Sequence, residues 1–500
     1  MYSASRNAAL IGRLRAPSAG AASRCRTTIP RWVTAPYSIA CAAILASVAA
    51  YPLHAGAQAP TVQRHAASAR APADTSASAR PSGATSALDS LVARALAANP
   101  AIHAAAARVK AARARIGPAG ARPDPMLMAG IQNFPVSEPG FSDFMTMKMI
   151  GVEEAFPFPG KLSLRTRAAR DEVTAAQAAL DAARLEVAMK LKKAYYDLAF
   201  ADRALLIVRR NQAVVANLVS VAEARFASGT GTQAEVLRVR TEAANLGEAA
   251  STVQEERRAA LAQLNAILDR PSETPVARPV VPARVVRAAV ADSAAQVHFA
   301  SDALGARAAG SPLLPLDSLE MLAATRSPLI HEHVARIAAQ HARVELAQKA
   351  HLPDVSFSLS YGQRQGFTDM VSAIVSIPIP LQKGRKQDSE VAEAVAKLAA
   401  LEAEHHQMVN SLNAEVAKQV SELERARTQL ALSKRAILPQ VQATLASTMA
   451  SYQVGRLDFS AVMDAQASVF NAETAYYRSL TDFAKSLAEL ERTVGAGVLR

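Results

Sequence analysis

Cysteine and tryptophan are nearly absent from this chain, and aromatic residues are few. The 500 residues include 2 cysteines and 1 tryptophan, and 5% of all residues are aromatic. Two thiols, at Cys25 and Cys41, cannot supply a disulfide framework or a four-thiolate metal site. The formal net charge is +13, yet the positive charges form no long uninterrupted block. This lack argues against a basic nucleic-acid-binding tail, and we expect no nucleic-acid partner.

Proline and glycine, with 26 and 21 residues, are too few for a disordered chain. The Ala-rich, charge-laced stretches indicate long helices instead. The sequence contains no Gly-x-Ser-x-Gly motif, phosphate-binding glycine loop or dinucleotide fingerprint. His331-Glu332-His333 falls short of a zinc-protease motif, because the fifth position is Ala335. We therefore predict that the protein is not an enzyme and has no cofactor and no resident metal site.

Residues 1–57 have the character of a secretory signal peptide. Several arginines and no acidic residue precede an apolar run from Tyr37 to Leu53. Ala55-Gly56-Ala57 then supplies the small residues of a cleavage site. Removing this segment removes both cysteines, which suits an oxidising compartment such as the periplasm. Residues 58–86, rich in Ala, Ser, Pro and Thr, predict a disordered lead-in.

The rest of the chain is one unit that occurs twice. Four landmarks recur in the same order at offsets of 221–230 residues. This order indicates internal duplication, and a repeat of this length is half a domain rather than a solenoid unit. We assign 87–270 to a first repeat, 271–320 to a Pro- and Ala-rich connector and 321–498 to a second repeat. The landmark pairs are Asn99-Pro100 with Ser327-Pro328, Pro123-Asp124-Pro125 with Pro353-Asp354, Phe156–Lys161 with Ile377–Pro380, and Arg225–Gly229 with Ser451–Gly455.

Each repeat contains two stretches with the alternation of a half-buried strand. In the second repeat they run from Val355 to Gly362 and from Val371 to Ile377. In the first repeat Met126 to Phe134 alternates in part, and Met145 to Met149 alternates cleanly. An apolar outer face, a small polar inner face and aromatic ends are typical of a membrane barrel. Because bacterial barrels need about eight strands or more, copies of the chain must pool their strands.

The methionines of the first repeat allow two interpretations. Met145, Met147 and Met149 alternate with Thr146 and Lys148. Thioether groups can bind soft metals. We favour the other interpretation, in which the methionines face lipid and the two polar residues face the lumen.

Long helices follow the strands in both repeats. Lys161 to Ala227 contains no proline and no glycine, and its apolar residues form a coiled-coil-like stripe. At about 1.5 Å per residue this helix would be roughly 100 Å long. Its counterpart runs from Lys386 to Tyr452, where Pro439 is expected to bend it. Return helices, Gln233–Leu268 and Asp458–Val494, complete two antiparallel hairpins.

The signal peptide, the duplicated unit, the strand pairs between long helices and the glycine turns at the helix tips together resemble one family. Over residues 88–498 the sequence is similar to the outer-membrane efflux proteins of the TolC type. The most specific element, Phe156-Pro157-Phe158-Pro159-Gly160-Lys161, resembles the branch that serves heavy-metal and related tripartite pumps of the resistance-nodulation-division class. The resemblance implies a mainly α fold with a β-barrel part. Three subunits would each give four strands to one twelve-stranded barrel, which continues as an α-helical tunnel.

The resemblance also implies a function. Such a tube is a passive exit channel in the outer membrane of a Gram-negative cell, set in outer-membrane lipid and extending into the periplasm. A periplasmic adaptor (membrane fusion) protein and an inner-membrane pump supply substrate choice and energy. We predict export of heavy-metal cations, with multidrug export or type I secretion as alternatives. A periplasmic coiled-coil structural protein is the alternative of another class, and it explains the helices but not the strands.

Two sets of residues are matched to the family's motifs. In the family the adaptor engages the tips of the helical hairpins, and the barrel strands join the helices at a proline-rich junction. The matching tip residues are Arg225, Phe226, Gly229, Thr230, Tyr452, Gly455, Arg456 and Leu457. The junction residues are Phe156, Pro157, Phe158, Pro159, Gly160, Lys161, Pro378 and Pro380.

A third set concerns the periplasmic end of the tunnel. Asp464 falls where the family commonly places an aperture aspartate, and Glu235 and Asp458 are further candidates. In a symmetric trimer three copies of Asp464 would form a negative ring that attracts cations. Ala461 stands where a second acid is common, so we expect a weaker ring.

Overall fold

The computed structural model describes residues 87–499, except 137–139, 291–312 and residue 455. The predicted signal peptide, the predicted lead-in and Gly455 lie outside the described residues, as does much of the predicted connector. The described elements follow one another in the same order in both repeats. In each repeat two shorter helices lead to a pair of antiparallel strands, and a long helical segment with its return helix follows.

Ten α-helices are described. In the first repeat they are α1 (Ala87–Ala98), α2 (Pro100–Gly120), α3 (Lys161–Ala227) and α4 (Gln233–Ile267), followed by α5 (Ala283–Val290). In the second repeat they are α6 (Leu316–Arg326), α7 (Pro328–Gln348), α8 (Gln387–Leu432), α9 (Leu438–Gln453) and α10 (Phe459–Val494). A 3₁₀ turn, Lys349–His351, follows α7, and a π-helical segment, Ser433–Ile437, joins α8 to α9.

The helix boundaries follow from local sequence. Both α2 and α7 begin with a proline after a residue of extended backbone, because proline has no N–H to leave unpaired in the first turn. The Asn99 side chain accepts a hydrogen bond from Ala101 N at 2.9 Å and so caps α2. The 67-residue α3 begins and ends at the predicted residues. A π-helical segment interrupts the second long helix just before Pro439, which lies in the first turn of α9.

The four strands form one antiparallel sheet in the order β1-β2-β3-β4. They are β1 (Met126–Gln132), β2 (Met147–Phe156), β3 (Val355–Gln363) and β4 (Met370–Ser376). The predicted strands of the second repeat are confirmed, whereas β2 begins later than predicted and continues to Phe156. The central pair, β2 with β3, joins the two repeats from Lys148 opposite Gln363 to Phe156 opposite Val355. In the part of the chain that the structure describes, β1 and β4 each have one edge without a strand partner.

The register gives the sheet two chemically distinct faces. The outer face is largely apolar and exposed, and no segment among the described residues covers it. The inner face carries the serines of β3, together with Glu153 and three glycines. The outer face consists chiefly of Leu127, Ala129, Ile131, Ile150, Val152, Phe156, Phe357, Leu359, Tyr361, Val371 and Val375. Such a face matches the lipid side of a membrane barrel.

The prediction for the methionines of β2 is wrong. Met149 lies opposite Gly362, on the face of Ser358 and Ser360, and Met147 is buried on the same face. Lys148 lies instead on the outer face, near the hairpin end of the strand. Alternation within a single strand shows which residues share a face, but only the partner strands show which face is polar.

The helical part is organised around α3. It packs along α4 of its own repeat and along α7 and α10 of the second repeat. One buried cluster lies where α3, α4, α8 and α10 meet, with Leu191, Leu264, Leu423 and Phe483 among its members. A second cluster lies near the helix tips and includes Val215, Val239 and Phe459. In contrast, the buried residues of α8 begin only at Val416, and the part of α8 before it packs along α7 on one side while most of its residues are exposed or half-buried.

We predict that the two faces of β3 respond differently to a charge. Leu359→Arg places a guanidinium on the outer face and should cost about 2–4 kcal/mol if that face meets lipid. Ser358→Arg, the matched control one residue away, places it on the inner face beside Glu153. Insertion into lipid vesicles, followed by flotation, should fall for Leu359→Arg and not for Ser358→Arg. Equal insertion of both variants would contradict the assignment of the faces.

Candidate functional site

The predicted barrel-to-helix junction is held by a buried lysine. Lys161, the first residue of α3, is 7% exposed. Its Nζ donates hydrogen bonds to Asp354 Oδ1 and to Leu352 O, each at 2.7 Å. Asp354 Oδ1 also accepts from the backbone N of Phe158 at 2.8 Å. Asp354 thus ties the start of β3 in the second repeat to the end of β2 and the start of α3 in the first.

These contacts determine the charge of Asp354. Partial burial alone would raise the pKa of its carboxyl group, because burial disfavours the charged form. The hydrogen bonds from Lys161 and Phe158 N outweigh this effect and hold the pKa of Asp354 below its usual value. Asp354 is therefore ionised at neutral pH.

Gly160 is the residue of this junction that needs to be glycine. Its φ of +91° lies in the left-handed region, which side chains disfavour. A Cβ at Gly160 would also lie 2.7 Å from Lys349 Nζ, which reaches toward Pro159 O at 3.4 Å. The turn between Pro159 and Lys161 therefore lets the chain pass from a strand directly into a helix. The backbone conformation of this turn requires Gly160, and the hydrogen bonds to Asp354 and Leu352 require Lys161.

The second junction lies beside the first but is built differently. Pro378 and Pro380 line one open groove together with Lys161 and Asp354. The glycine that follows them, Gly384, lacks a positive φ. The chain there makes a run of turns before α8 begins, whereas α3 follows its glycine at once. The structure thus brings the predicted junction residues of both repeats together, although the repeats are not equivalent there.

The first helix tip is a closed turn with an exposed apolar residue. Gly229 has a φ of +71° and ends α3 sharply. The Arg225 backbone carbonyl accepts from the backbone N of Thr230 at 2.9 Å and of Gly231 at 3.0 Å. Phe226, by contrast, is 50% exposed. Of the predicted tip residues in this turn, Phe226 is the one that offers a large apolar surface.

The second tip packs onto the first. The Arg225 guanidinium lies over the Tyr452 ring, 4.7 Å from the ring centre. Tyr452 is only 6% exposed and also contacts Phe459 edge to face, and burial raises the pKa of its phenol. Arg456 N donates to Ser451 O at 2.9 Å, while Leu457 is 43% exposed. Tyr452 therefore joins the two tips. Because it is buried, it can affect the binding of another protein only by positioning Arg225 and Phe459.

The predicted aperture residues lie on α4, on α10 and immediately before α10. Asp464, on α10, forms an ion pair with Arg238 of α4 at 3.2 Å, and both side chains are exposed. Glu235 lies one turn earlier on α4, where its backbone N donates to the Thr232 side chain in the helix cap. Asp458 is the residue before α10, and its side chain makes no capping hydrogen bond. In the predicted ring of three Asp464 side chains, each aspartate would therefore be paired with Arg238 of its own subunit.

Sequence reasoning missed Arg238. It lies three residues after Glu235, on the same side of α4, and its partner is 226 residues away. A second cross-helix pair near the tips, Arg240 with Glu223 at 2.7 Å, was missed for the same reason. The only available signal was the alternation of acidic and basic residues at the start of α4. In the described part of the chain no group of three His, Cys, Asp or Glu residues could hold a metal ion.

Comparison with known proteins identifies the family. The sequence profile described as "Outer membrane efflux protein" matches residues 91–270 and 321–496. The chain belongs to this family. The two matched segments contain the strand pairs and the long helical hairpins described above. The predicted resemblance, fold class, outer-membrane location and lack of enzymatic activity are confirmed by this membership, since members of the family are efflux channels.

Individual relatives are distant but cover most of the chain. The cobalt-zinc-cadmium resistance protein CzcC of Cupriavidus metallidurans is 22% identical over 340 residues, which is 67% of this chain and 74% of that protein. The structure of the outer-membrane channel OprN superposes with a TM-score of 0.67 at 20% identity, covering 82% of this chain and 90% of OprN. The outer membrane protein VceC of Vibrio cholerae gives a TM-score of 0.66 at 21% identity, with 82% and 96% covered.

We predict that Asp354→Asn weakens the junction in a pH-dependent way. The variant leaves the Lys161 ammonium without its ion-pair partner, which should cost about 1–3 kcal/mol. Because the pKa of Asp354 is lowered in the folded protein, its contribution is present above its usual value of 3.8 and is lost as the pH falls through the folded value. Thermal unfolding in detergent at several pH values measures the difference from wild type.

The matched control for this experiment is Asp124→Asn. Asp124 is the equivalent residue of the first repeat and is exposed. It should have little effect at any pH. A loss of stability in Asp354→Asn that persists unchanged in acid would contradict the ion-pair explanation.

A second prediction concerns the pair at the tunnel end. Asp464→Ala leaves Arg238 unpaired and should lower the cation preference of single channels, whereas Arg238→Gln leaves Asp464 unpaired and should raise it. The reversal potential in a KCl gradient measures the preference, and conductance is recorded alongside it. Asp181→Ala, in the barrel-side half of α3, is the charge-matched control. Equal reversal potentials for all variants would remove both residues from the conduction path.

Proposed function

We propose that this protein is the outer-membrane exit duct of a tripartite system that exports heavy-metal cations. Three copies would form the duct, and a periplasmic adaptor and an inner-membrane pump of the resistance-nodulation-division class would complete the system. The observation that carries the proposal is a sheet with a lipid-type outer face that continues, through the Lys161 junction, into helices about 100 Å long at 1.5 Å per residue.

Assembly from three copies is supported by what one chain leaves unfinished. A four-stranded sheet cannot close into a barrel, and both of its edges end in strands without a partner. Unpaired backbone groups are not tolerated in lipid, so β1 and β4 must pair with other copies. The first half of α8 supports the same conclusion for the helical part, because α7 packs along one side of it and the described residues leave its other side exposed.

Metal export is supported by two independent features. The relative CzcC is named for resistance to cobalt, zinc and cadmium. The Phe156–Lys161 element resembles the heavy-metal branch of the family and is built around the glycine and lysine described above. A passive duct leaves most of the cargo selection to the pump, so multidrug export and type I secretion remain alternative uses of the same architecture.

Adaptor binding at the tips is supported by exposed apolar side chains. Phe226 and Leu457 are about half exposed, although both tips are otherwise well packed. Thr230, in the turn between α3 and α4, is exposed as well. Arg225 and Tyr452 hold the two tips together and would orient this surface rather than contact the adaptor directly. Gly455 lies outside the described residues, so its contact with the adaptor stays a prediction.

The cargo can be tested in the native cell. Deleting the gene should lower tolerance to heavy-metal cations, tested with zinc, cadmium, cobalt, copper and silver salts in turn, and raise the metal content of the periplasm, since the exit step is lost. Elemental analysis by mass spectrometry measures that content, and complementation with the intact gene is the control. Unchanged metal tolerance together with new sensitivity to drugs would replace metal export with the multidrug alternative.

A further inference from the structure

Methionine is distributed unevenly in the sheet. The outer face is built chiefly from leucine, isoleucine, valine and aromatic residues, with Lys148, Glu154 and Gln363 as its long polar side chains, and contains no methionine. All five methionines of the strands lie on the inner face with the serines and Glu153. A methionine that serves only as an apolar filler belongs on the lipid side of a barrel, so its confinement to the polar side indicates another use. The five are Met126, Met128, Met147, Met149 and Met370.

Three of these methionines surround one glycine. In the register, Gly362 of β3 lies opposite Met149 on one side and opposite Met370 on the other. Directly opposed residues have Cβ atoms about 4.5–5.5 Å apart. The third, Met147, covers the glycine itself, because a Cβ built at Gly362 would lie 2.6 Å from Met147 Sδ. Glycine at this position thus leaves room for sulfur atoms to converge from both neighbouring strands.

The donor set selects a class of ligand. Thioether sulfur is a soft ligand that suits Cu(I) and similar soft cations, whereas zinc and cobalt prefer imidazole, thiolate or carboxylate. The four strands, all of them described, contain no histidine and no cysteine. Glu153 lies on the same face but four residues further along β2 than Met149. Around Gly362 the available metal ligands of the sheet are therefore thioethers.

We propose that Met147, Met149 and Met370 form a three-thioether site for a soft monovalent cation, Cu(I) or Ag(I), on the inner wall of the duct. This inference rests on the proposed export of heavy-metal cations and names the class of cation. It also separates this chain from its relative CzcC, whose name refers to divalent metals.

The position of the site suits passage rather than storage. Met126 and Met128 lie on the same face toward the helical end of β1, so a cation leaving the tunnel meets them before it reaches the Gly362 site. Conduction requires sites that attract an ion and yet release it to the next site. Methionine has three rotatable bonds and no charge, and its sulfur can follow a cation from one partner to another.

The test uses the purified full-length protein in detergent, without pump or adaptor. Silver nitrate in a chloride-free buffer is titrated into wild type and into Met147→Leu/Met149→Leu/Met370→Leu, with binding measured calorimetrically. Loss of three ligands should weaken silver binding by at least about tenfold. The control, Met189→Leu/Met408→Leu/Met449→Leu, changes the same number of methionines in helices and should bind as wild type does. Leucine nearly conserves the volume of methionine, so both variants should fold.

Two further measurements do not depend on the triple variant. Gly362→Ala should weaken silver binding, because its Cβ displaces the sulfur of Met147. In wild type, bound silver should protect Met147, Met149 and Met370 from peroxide oxidation to sulfoxides, as peptide mass spectrometry would show, while methionines elsewhere oxidise as before. Wild-type silver affinity in the sheet variant, equal loss in the helical control, or equal competition by zinc would each overturn the proposal.

The outcome is separable from that of the proposed function. A protein that binds silver at this site but whose deletion leaves metal tolerance unchanged would contradict the proposed export function. A protein whose deletion impairs metal tolerance but whose sheet variant binds silver normally would contradict only the thioether site.

Discussion

The ion pair between Lys161 and Asp354 is the constraint on which the rest of the architecture depends. It connects the first residue of a 67-residue helix to the residue that precedes β3, across the two repeats. The strand pair β2–β3 brings the repeats together in the sheet, and this contact fixes the direction in which α3 leaves it. A rod of that length would amplify any error of angle at its base into a large displacement at its tip. A nearly fully buried lysine with two 2.7 Å hydrogen bonds limits that error.

The tunnel end is held by weaker interactions than the junction. The pair of Arg238 and Asp464 is exposed, and exposed ion pairs contribute only about 0–1 kcal/mol. Arg225 on Tyr452 is a cation–π contact of similar size at a partly exposed site. The polar contacts are therefore strong where strands become helices and weak where the helices end, where a buried apolar cluster supplies most of the packing. This gradient suits a duct whose periplasmic end has to change shape while its membrane end stays closed to lipid.

The sequence predicted the long elements well because their signals are local. Helix α3 has neither glycine nor proline and a continuous apolar stripe, so both of its ends could be predicted to the residue. The alternation of serine with apolar residues predicted β3 to within one residue. The sequence did not predict which face Met147 and Met149 occupy, because that depends on pairing with Gly362, more than 200 residues away. Arg238 was missed for a related reason, since its partner Asp464 belongs to a different helix.

The two unpaired edges of the sheet have a consequence for biogenesis. A single chain in a bilayer would expose the backbone donors and acceptors of β1 and β4 to hydrocarbon, at a cost of several kcal/mol per group. Insertion and association must therefore occur as one event, and no membrane-resident single subunit can accumulate beforehand. Until that event the apolar outer face of the sheet remains in water, where it invites aggregation and capture by chaperones. How long a newly synthesised subunit is exposed to aggregation therefore depends on how quickly it associates with two others.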